Sequence, residues 1–164
     1  MSPEAAQERF FEELDAHKRI LSKVARGYCR ESDREDLVQE IVVQLWRSFP
    51  RFDGRSKFST WMYKVALNVA ISYHRSEVAR TRYVITDEDQ LLSATVPVEQ
   101  ESPEVGRLYE FIDTLNPLDR ALVLLYLDGH NHTDISQVLG ITATNVATKL
   151  GRIKQAMQQQ LTQS

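Results

Sequence analysis

DREDLVQEIVVQLWRSFPRFDGRSKFSTWMYKVALNVAISYHR, residues 33–75, decides the fold. It reads as two amphipathic helices joined by a short Pro/Gly loop. In the first, Leu37, Val38, Ile41, Val42, Leu45, Trp46 and Phe49 fall on helical spacing. In the second, which starts near Ser56, the inward spacing is Phe58, Trp61, Met62, Val65, Ala66, Val69, Ala70 and Tyr73, with Thr60, Tyr63, Lys64, Asn68, Ser72 and Arg75 opposite. Pro50 and Gly54 mark the turn between them. Asp33 suits the N-cap of the first helix, and Glu35 and Asp36 in its first turn favour the helix dipole. The charge is segregated. Asp33, Glu35, Asp36 and Glu40 open the first helix, whereas Arg51, Arg55, Lys57, Lys64 and Arg75 follow, opposed only by Asp53. An acidic surface and a basic, aromatic one on a single compact unit imply two partners, a basic protein and a polyanion.

Upstream, Pro3 to about Arg30 has helical periodicity through Phe10, Leu14, Ile20, Leu21, Val24, Ala25 and Tyr28, with a break expected near Gly27 or Ser32. Downstream, periodicity is lost after a short helical start reaching Arg82. The segment from Glu77 to Glu104 carries Asp87, Glu88, Asp89, Glu99 and Glu101 as well as its two terminal glutamates, against Arg80 and Arg82. It reads as an extended acidic linker, too long for a loop inside one small domain. Beyond it, Val105, Leu108, Phe111, Ile112 and Leu115 suggest one helix, and Asn116-Pro117 ends it. Leu118, Ala121, Leu122, Leu125 and Tyr126 suggest the next, which stops near Gly129. A short helix follows over Thr133–Leu139, then a turn at Gly140, then a final helix capped by Thr142. The fold expected is all-α: a first helical domain over residues 1–77, a flexible acidic linker over 78–103 and a second helical domain over 104–164.

The 164-residue chain has a net charge of −3 and an apolar fraction of 42%, which permits a packed core and argues against a protein that simply coats nucleic acid. Cys29 is the single cysteine, so no intramolecular disulfide is possible, and it reads as a small buried hydrophobe. No secretory signal and no apolar run near the roughly 20 residues of a membrane span are visible. The chain is therefore expected in the cytoplasm without membrane insertion. No phosphate-binding glycine loop and no nucleophile beside a base supports catalysis, so no enzyme activity and no cofactor are expected. His130 and His132, with Asp128 and Asp134, could hold a metal. A solvated helix start with His132 or Thr133 near the cap fits them better, and no metal site is assigned.

Two segments suggest nucleic acid. HTDISQVLGITATNVATKLGRIKQAM, residues 132–157, has the layout of a helix-turn-helix, with Gly140 placed for the positive φ of a tight turn. Its second helix leaves Thr144, Asn145, Ala147, Thr148, Lys149 and Arg152 free to reach a major groove, and no acid lies between Ile135 and Ser164. An ordinary helical hairpin with a solvated polar face has the same pattern, and Lys149 and Arg152 are a thin electrostatic footprint. Around the third helix, Trp61, Tyr63, Lys64 and Asn68, with Arg55 and Lys57 before them, combine stacking surfaces, cations and an amide. Single-stranded DNA is held by that mixture. Trp61 reads equally as a core residue and as a mostly buried one with an exposed edge.

DLVQEIVVQLWRSFPRFDG followed by KFSTWMYKVALNVAISYHR closely resembles region two of bacterial sigma factors of the extracytoplasmic-function (ECF) type. LNPLDRALVLLYLDGHNHTDISQVLGITATNVATKLGRIKQAM resembles region four of the same family, and the likeness spans about residues 8 to 160. The resemblance implies an RNA polymerase sigma factor that binds core polymerase, through the β′ clamp and the β subunit, and directs promoter-specific initiation. It implies core-polymerase docking through Asp33, Asp36, Leu37, Gln39 and Glu40. It implies recognition and melting of the minus-ten element through Arg55, Lys57, Trp61, Tyr63, Lys64 and Asn68, and minus-thirty-five recognition through Thr144, Asn145, Thr148, Lys149 and Arg152. Promoter DNA, duplex and single-stranded, and an anti-sigma factor are the other partners implied. Ala147 stands where many relatives carry Lys or Arg, and Gly151 where a larger side chain is common. Two rivals remain: a self-sufficient regulator acting through the helix-turn-helix alone, and an interaction module of the same fold without DNA function.

Overall fold

A computed structural model describes residues 2–83 and 102–162, and within these every regular element is helical. The chain divides into two compact units, Met1–Ala94 and Thr95–Ser164. The expected linker falls mostly on residues 84–101, outside the described residues.

In the first unit, α1 (Pro3–Ala16) is capped by Ser2, whose hydroxyl accepts from the Ala5 amide at 3.1 Å, and Pro3 occupies the first turn. Phe10 is the residue α1 buries. The expected single helix to Arg30 instead breaks at His17 (φ −119°, ψ 19°), well before Gly27. The cause is local. The His17 amide is shared between the carbonyls of Glu13 and Leu14, both at 3.2 Å, while its ring Nδ1 lies 2.9 Å from the same Glu13 carbonyl. The ladder thus crowds onto one carbonyl at the residue where the backbone leaves helical geometry. The chain resumes as α2 (Lys18–Tyr28), burying Ile20, Leu21, Val24, Ala25 and Tyr28 as the periodicity predicts.

A 3₁₀ turn over Glu31–Asp33 leads into α3 (Arg34–Ser48). Asp33 is not the side-chain cap expected of it. Its backbone is already near-helical (φ −102°, ψ −6°) because the 3₁₀ turn runs straight into α3, and its carboxylate makes no capping bond. α3 buries Leu37, Ile41 and Leu45, one residue per turn. A second 3₁₀ turn, Phe49–Arg51, and a loop through Gly54 (φ +77°) lead to α4, Phe58–Tyr83. The helix runs through Tyr83 and so takes in the short helical start expected to reach Arg82.

Helices α2, α3 and α4 pack pairwise against one another. Because α4 meets two neighbours, its buried stripe is wider than one heptad-like face: Phe58, Met62, Ala66 and Ala70, plus Tyr63 and Leu67 beside them. Tyr63, expected on the solvent face, is fully buried at 0% exposure. Val65 and Val69, expected inside, are only half-buried. The stripe is rotated by about one residue from the one the apolar spacing suggests.

The second unit is built around α6 (Pro117–Leu127), which buries five consecutive residues from Ala121 to Leu125. A helix apolar all round belongs in the middle of its domain, and α5 (Pro103–Asp113), α7 (His132–Leu139) and α8 (Ala143–Thr162) all pack on it. The side chains of Ser102, Asn116 and Asn131 cap α5, α6 and α7 by accepting from the amides of Val105, Asp119 and Asp134. Asn131, rather than His132 or Thr133, is thus the cap of α7. Arg120 closes the α5–α6 turn, donating to the Leu115 carbonyl at 2.9 Å and the Asp113 carbonyl at 2.7 Å. Gly140 has the expected positive φ, +71°, and Thr142 caps α8 by accepting from the Asn145 amide at 3.0 Å. Among the described residues no helix is long and apolar enough to cross a membrane.

Gly151 sits in mid-helix on the exposed side of α8, and a Cβ built there meets nothing within 4 Å. Gly151→Ala therefore removes the conformational entropy of glycine without a clash. The second unit should gain about 0.5–1 kcal/mol of stability, read as an upward shift in its urea midpoint.

Candidate functional site

Three exposed faces hold most of the site residues expected from the sequence. On α3, Asp36, Gln39 and Glu40 point outward over successive turns, while Leu37 between them is fully buried against the core. Leu37, expected in the docking surface, therefore holds α3 in the bundle and offers nothing to a partner. The outward stripe continues through Val43 and Trp46, 42% and 44% exposed. Trp46 was expected inside. It lies on the flank of the Leu37–Ile41–Leu45 row, where Phe10 of α1 reaches one ring face (centroids 5.1 Å) and Phe11 stacks at 6.4 Å, interplanar angle 15°. Val43 was missed altogether, although a valine off the inward spacing is itself the signal. The face is thus acidic at its N-terminal end and apolar at its C-terminal end.

Asp33 lies apart from this stripe. It is half-buried, and its charge acts on two half-buried groups, Cys29 just past the end of α2 and Tyr73 on α4. Burial pushes the Tyr73 phenol up to about 12, with Asp33 and Glu77 adding to it. Burial likewise pushes the Cys29 thiol up to about 12, Asp33 adding and Arg34 opposing, and its Sγ donates to the Ala25 carbonyl at 3.1 Å. The native thiol should react with iodoacetamide at pH 8 roughly a thousandfold more slowly than in the urea-unfolded chain. Rates within tenfold of each other would mean that the fold does not hold the thiol protonated.

Lys57, the residue before α4 whose carbonyl accepts from the Trp61 amide at 3.1 Å, and Trp61, Lys64 and Asn68 on α4 follow i, i+4, i+7, i+11 spacing along one side. Lys57, Lys64 and Asn68 are exposed and Trp61 is half-buried, leaving an edge accessible. Beneath the stripe's N-terminal end is an aromatic floor. Trp61 lies 5.0 Å from Phe52, 5.3 Å from Phe58 and 6.2 Å from Phe49, ring centroid to centroid. This packing fixes the loop over residues 52–57. Asp53 tightens it further, one carboxylate oxygen accepting from the Arg55 amide at 3.0 Å and the other pairing with Arg55 Nε at 3.3 Å. The Arg55 charge is thereby partly answered within the loop, and Lys57 and Lys64 are the cations best placed for a polyanion. Tyr63 lies on the opposite side of α4 from this stripe and cannot share a ligand with it in this packing.

On α8, Thr144, Asn145, Thr148 and Arg152 are exposed and Lys149 is half-buried, while Val146, Leu150 and Ile153 anchor the helix. Thr148 donates its hydroxyl proton to the Thr144 carbonyl at 3.0 Å, which leaves its oxygen as an acceptor. Lys154 is held away from this face, its Nζ 4.1 Å from the centre of the Tyr126 ring. The helix N-terminus adds the positive end of its dipole to a face without acids.

Comparison with known proteins assigns each helical unit to a family region. Residues 14–80 match Sigma-70 region 2 and residues 106–157 match Sigma-70, region 4, which together take in most of the chain. The chain is 28% identical over 156 residues to RNA polymerase sigma factor NccH of Alcaligenes xylosoxydans xylosoxydans, covering 90% of this chain and 84% of that protein. It is 26% identical to the ECF RNA polymerase sigma factor SigW of Bacillus subtilis, covering 94% and 90%. Among solved structures, CnrH in complex with the cytosolic domain of CnrY superposes with a TM-score of 0.70 at 21% identity, over 96% of this chain and 90% of that one. The sigma factor RpoE of Bartonella quintana, in complex with the anti-sigma factor NepR, gives 0.68 at 16% identity, over 95% and 96%. These two likenesses show the fold. With both regions matched, in order and on their own helical units, the chain belongs to the Sigma-70 family as an ECF-type RNA polymerase sigma factor that directs transcription initiation.

Proposed function

We propose that this sigma factor assigns one task to each face. The outward stripe of α3, with Asp36, Gln39 and Glu40, docks on a basic surface of the core polymerase β′ clamp. The α4 stripe, Lys57, Trp61, Lys64 and Asn68 with Arg55 beside it, binds and melts the minus-ten element, stacking an extruded base and holding the single strand by its phosphates. Thr144, Asn145, Thr148, Lys149 and Arg152 of α8 read the minus-thirty-five element in the major groove. Residues 1–77 then act as the docking and melting domain, 78–103 as the linker and 104–164 as the minus-thirty-five domain. Catalysis stays with the polymerase, and the protein works in the cytoplasm. Since CnrH and the Bartonella RpoE were solved with CnrY and the anti-sigma factor NepR, an inhibitory protein of that kind is the further partner we assign to this chain.

The observation that carries the reading is the opposition of charge on one rigid unit. Exposed acids on α3 and exposed cations and an amide on α4 belong to two helices packed directly together. Docking at one face fixes the position of the other. Run-off transcription with purified core polymerase on a promoter pool tests it. Initiation well above core alone is expected, and none above core alone would overturn the proposal.

A further inference from the structure

We propose that α8 selects its DNA site in part by thymine methyl groups, read by Ala147 and Thr148 at two neighbouring base pairs. The proposal rests on the reading of α8 as the minus-thirty-five helix and names bases that this helix selects.

Side-chain chemistry narrows what the helix can read. In the major groove guanine offers two acceptors, adenine an acceptor and a donor, cytosine a donor, and thymine an acceptor beside a methyl. Direct reading of the cytosine amino group takes an acceptor such as a carboxylate, and no acid lies between Ile135 and Ser164. Asn145, Lys149 and Arg152 recur at i, i+4 and i+7, so they share one flank of α8. Their amide and cations suit adenine, guanine and phosphate. Ala147 and Thr148 lie on the other flank and the centre of the face, and both are exposed. An A·T pair presents the adenine N6 and N7 atoms and the thymine methyl next to each other, so an amide flank beside a methyl flank matches it.

Two further observations single out the methyls. The Thr148 hydroxyl donates to the Thr144 carbonyl at 3.0 Å, so its proton is committed to the helix and is not offered to an acceptor on guanine or adenine. What the side chain adds to the groove is its methyl and an acceptor oxygen. Gly151 follows Ala147 by one turn and Thr148 by three residues, and a Cβ built there meets nothing within 4 Å. No longer side chain on that flank therefore stands between the two methyls and a base edge. Apolar contact is the one interaction that Ala147 can make, and in the major groove the thymine methyl is the apolar group available to it.

The test uses the full chain with purified core polymerase. Promoters that this holoenzyme selects from a randomised pool are rebuilt with deoxyuridine in place of one thymine at a time, which removes the C5 methyl and keeps the base pair. Run-off transcript is measured at limiting holoenzyme. At two neighbouring positions of the minus-thirty-five element the loss should be about fourfold, the scale of one methyl group taken out of water. Thr148→Ser deletes only the side-chain methyl and keeps the hydroxyl. It should lose about fourfold on thymine at one of these positions and nothing more on deoxyuridine there. Ala147→Arg should move the preferred base at the other position from thymine to guanine. A selected element without neighbouring thymines, or one in which no deoxyuridine changes initiation by more than about 1.5-fold, overturns the proposal. So does a deoxyuridine loss of equal size in the parent, Thr148→Ser and Ala147→Arg, since the effect then belongs to DNA shape. Arg152→Ala with Asn145→Ala separates the wider reading. If that variant no longer distinguishes the selected element from a scrambled one, α8 remains the reading helix even when the methyl result is negative. If it still distinguishes them and deoxyuridine is silent, both readings fail.

Discussion

Asp36→Lys combined with Glu40→Lys should abolish binding to core polymerase, a loss of at least about a hundredfold. The two carboxylates stand one turn apart on the outer stripe of α3 and are exposed, so the change leaves the Leu37–Ile41–Leu45 row untouched. Helical content and melting temperature should stay near the parent's. What changes is the sign of the face. Two negative charges become two positive ones against a basic partner, and like charges placed together at an interface cost several kcal/mol. A hundredfold loss is about 2.8 kcal/mol, well inside that range. Charge attraction of exposed groups is screened by salt. The parent should therefore bind more weakly as salt rises, while the variant's residual binding, limited by like-charge repulsion that salt also screens, should not weaken and should rise. Affinity within twofold of the parent at about 0.1 M salt would remove α3 from the docking role.

How far the sequence could take this reading is clearest on the two central helices. Leu37, Ile41 and Leu45 recur every four residues against one side of the bundle, and periodicity alone finds such a row. On α4 the same method put Tyr63 outside. A one-dimensional pattern records which residues are apolar, and tyrosine, with its hydroxyl, fits either face. Only the presence of both α2 and α3 against α4 decides that residues 63 and 67 are enclosed. Trp46 failed in the opposite direction: it lies on the inward spacing, but α1 crosses there with one buried ring and leaves the indole 44% exposed. The break at His17 was invisible because no Pro or Gly signals it. The helix-turn-helix was the most legible part. Its geometry hangs on Gly140 and Thr142, whose conformational and capping preferences are local. The site residues on α8 are nearly all exposed as expected, since a short amphipathic helix on a compact scaffold has one face to offer.

The burial of Tyr63 sharpens what should happen at Asn68. Asn68→Ala should leave core-polymerase affinity within twofold and slow promoter opening about 10- to 100-fold, the effect of losing an amide that discriminates a base by about 1–3 kcal/mol. Asn68 is exposed at the end of the Lys57–Trp61–Lys64 stripe, while its neighbours Ala66, Leu67 and Ala70 hold the core, so truncation to alanine removes a ligand group and no packing. The docking stripe on α3 is on a different helix and is untouched. Opening is read by permanganate reactivity of unpaired thymines in the minus-ten element and affinity by anisotropy, so the two roles separate in one set of proteins. Tyr63→Phe is the control. It keeps the buried ring and sits on the far side of α4, and opening should stay within twofold of the parent. Equal loss of polymerase binding and opening in Asn68→Ala would show that α4 serves docking as well. Opening that fails in Tyr63→Phe but not in Asn68→Ala would mean that the wrong stripe of α4 has been assigned to DNA. The stripe chosen is the one on which a cation, an aromatic edge, a second cation and an amide follow one another at helical spacing, and unpaired DNA presents phosphates and bases in the same alternation.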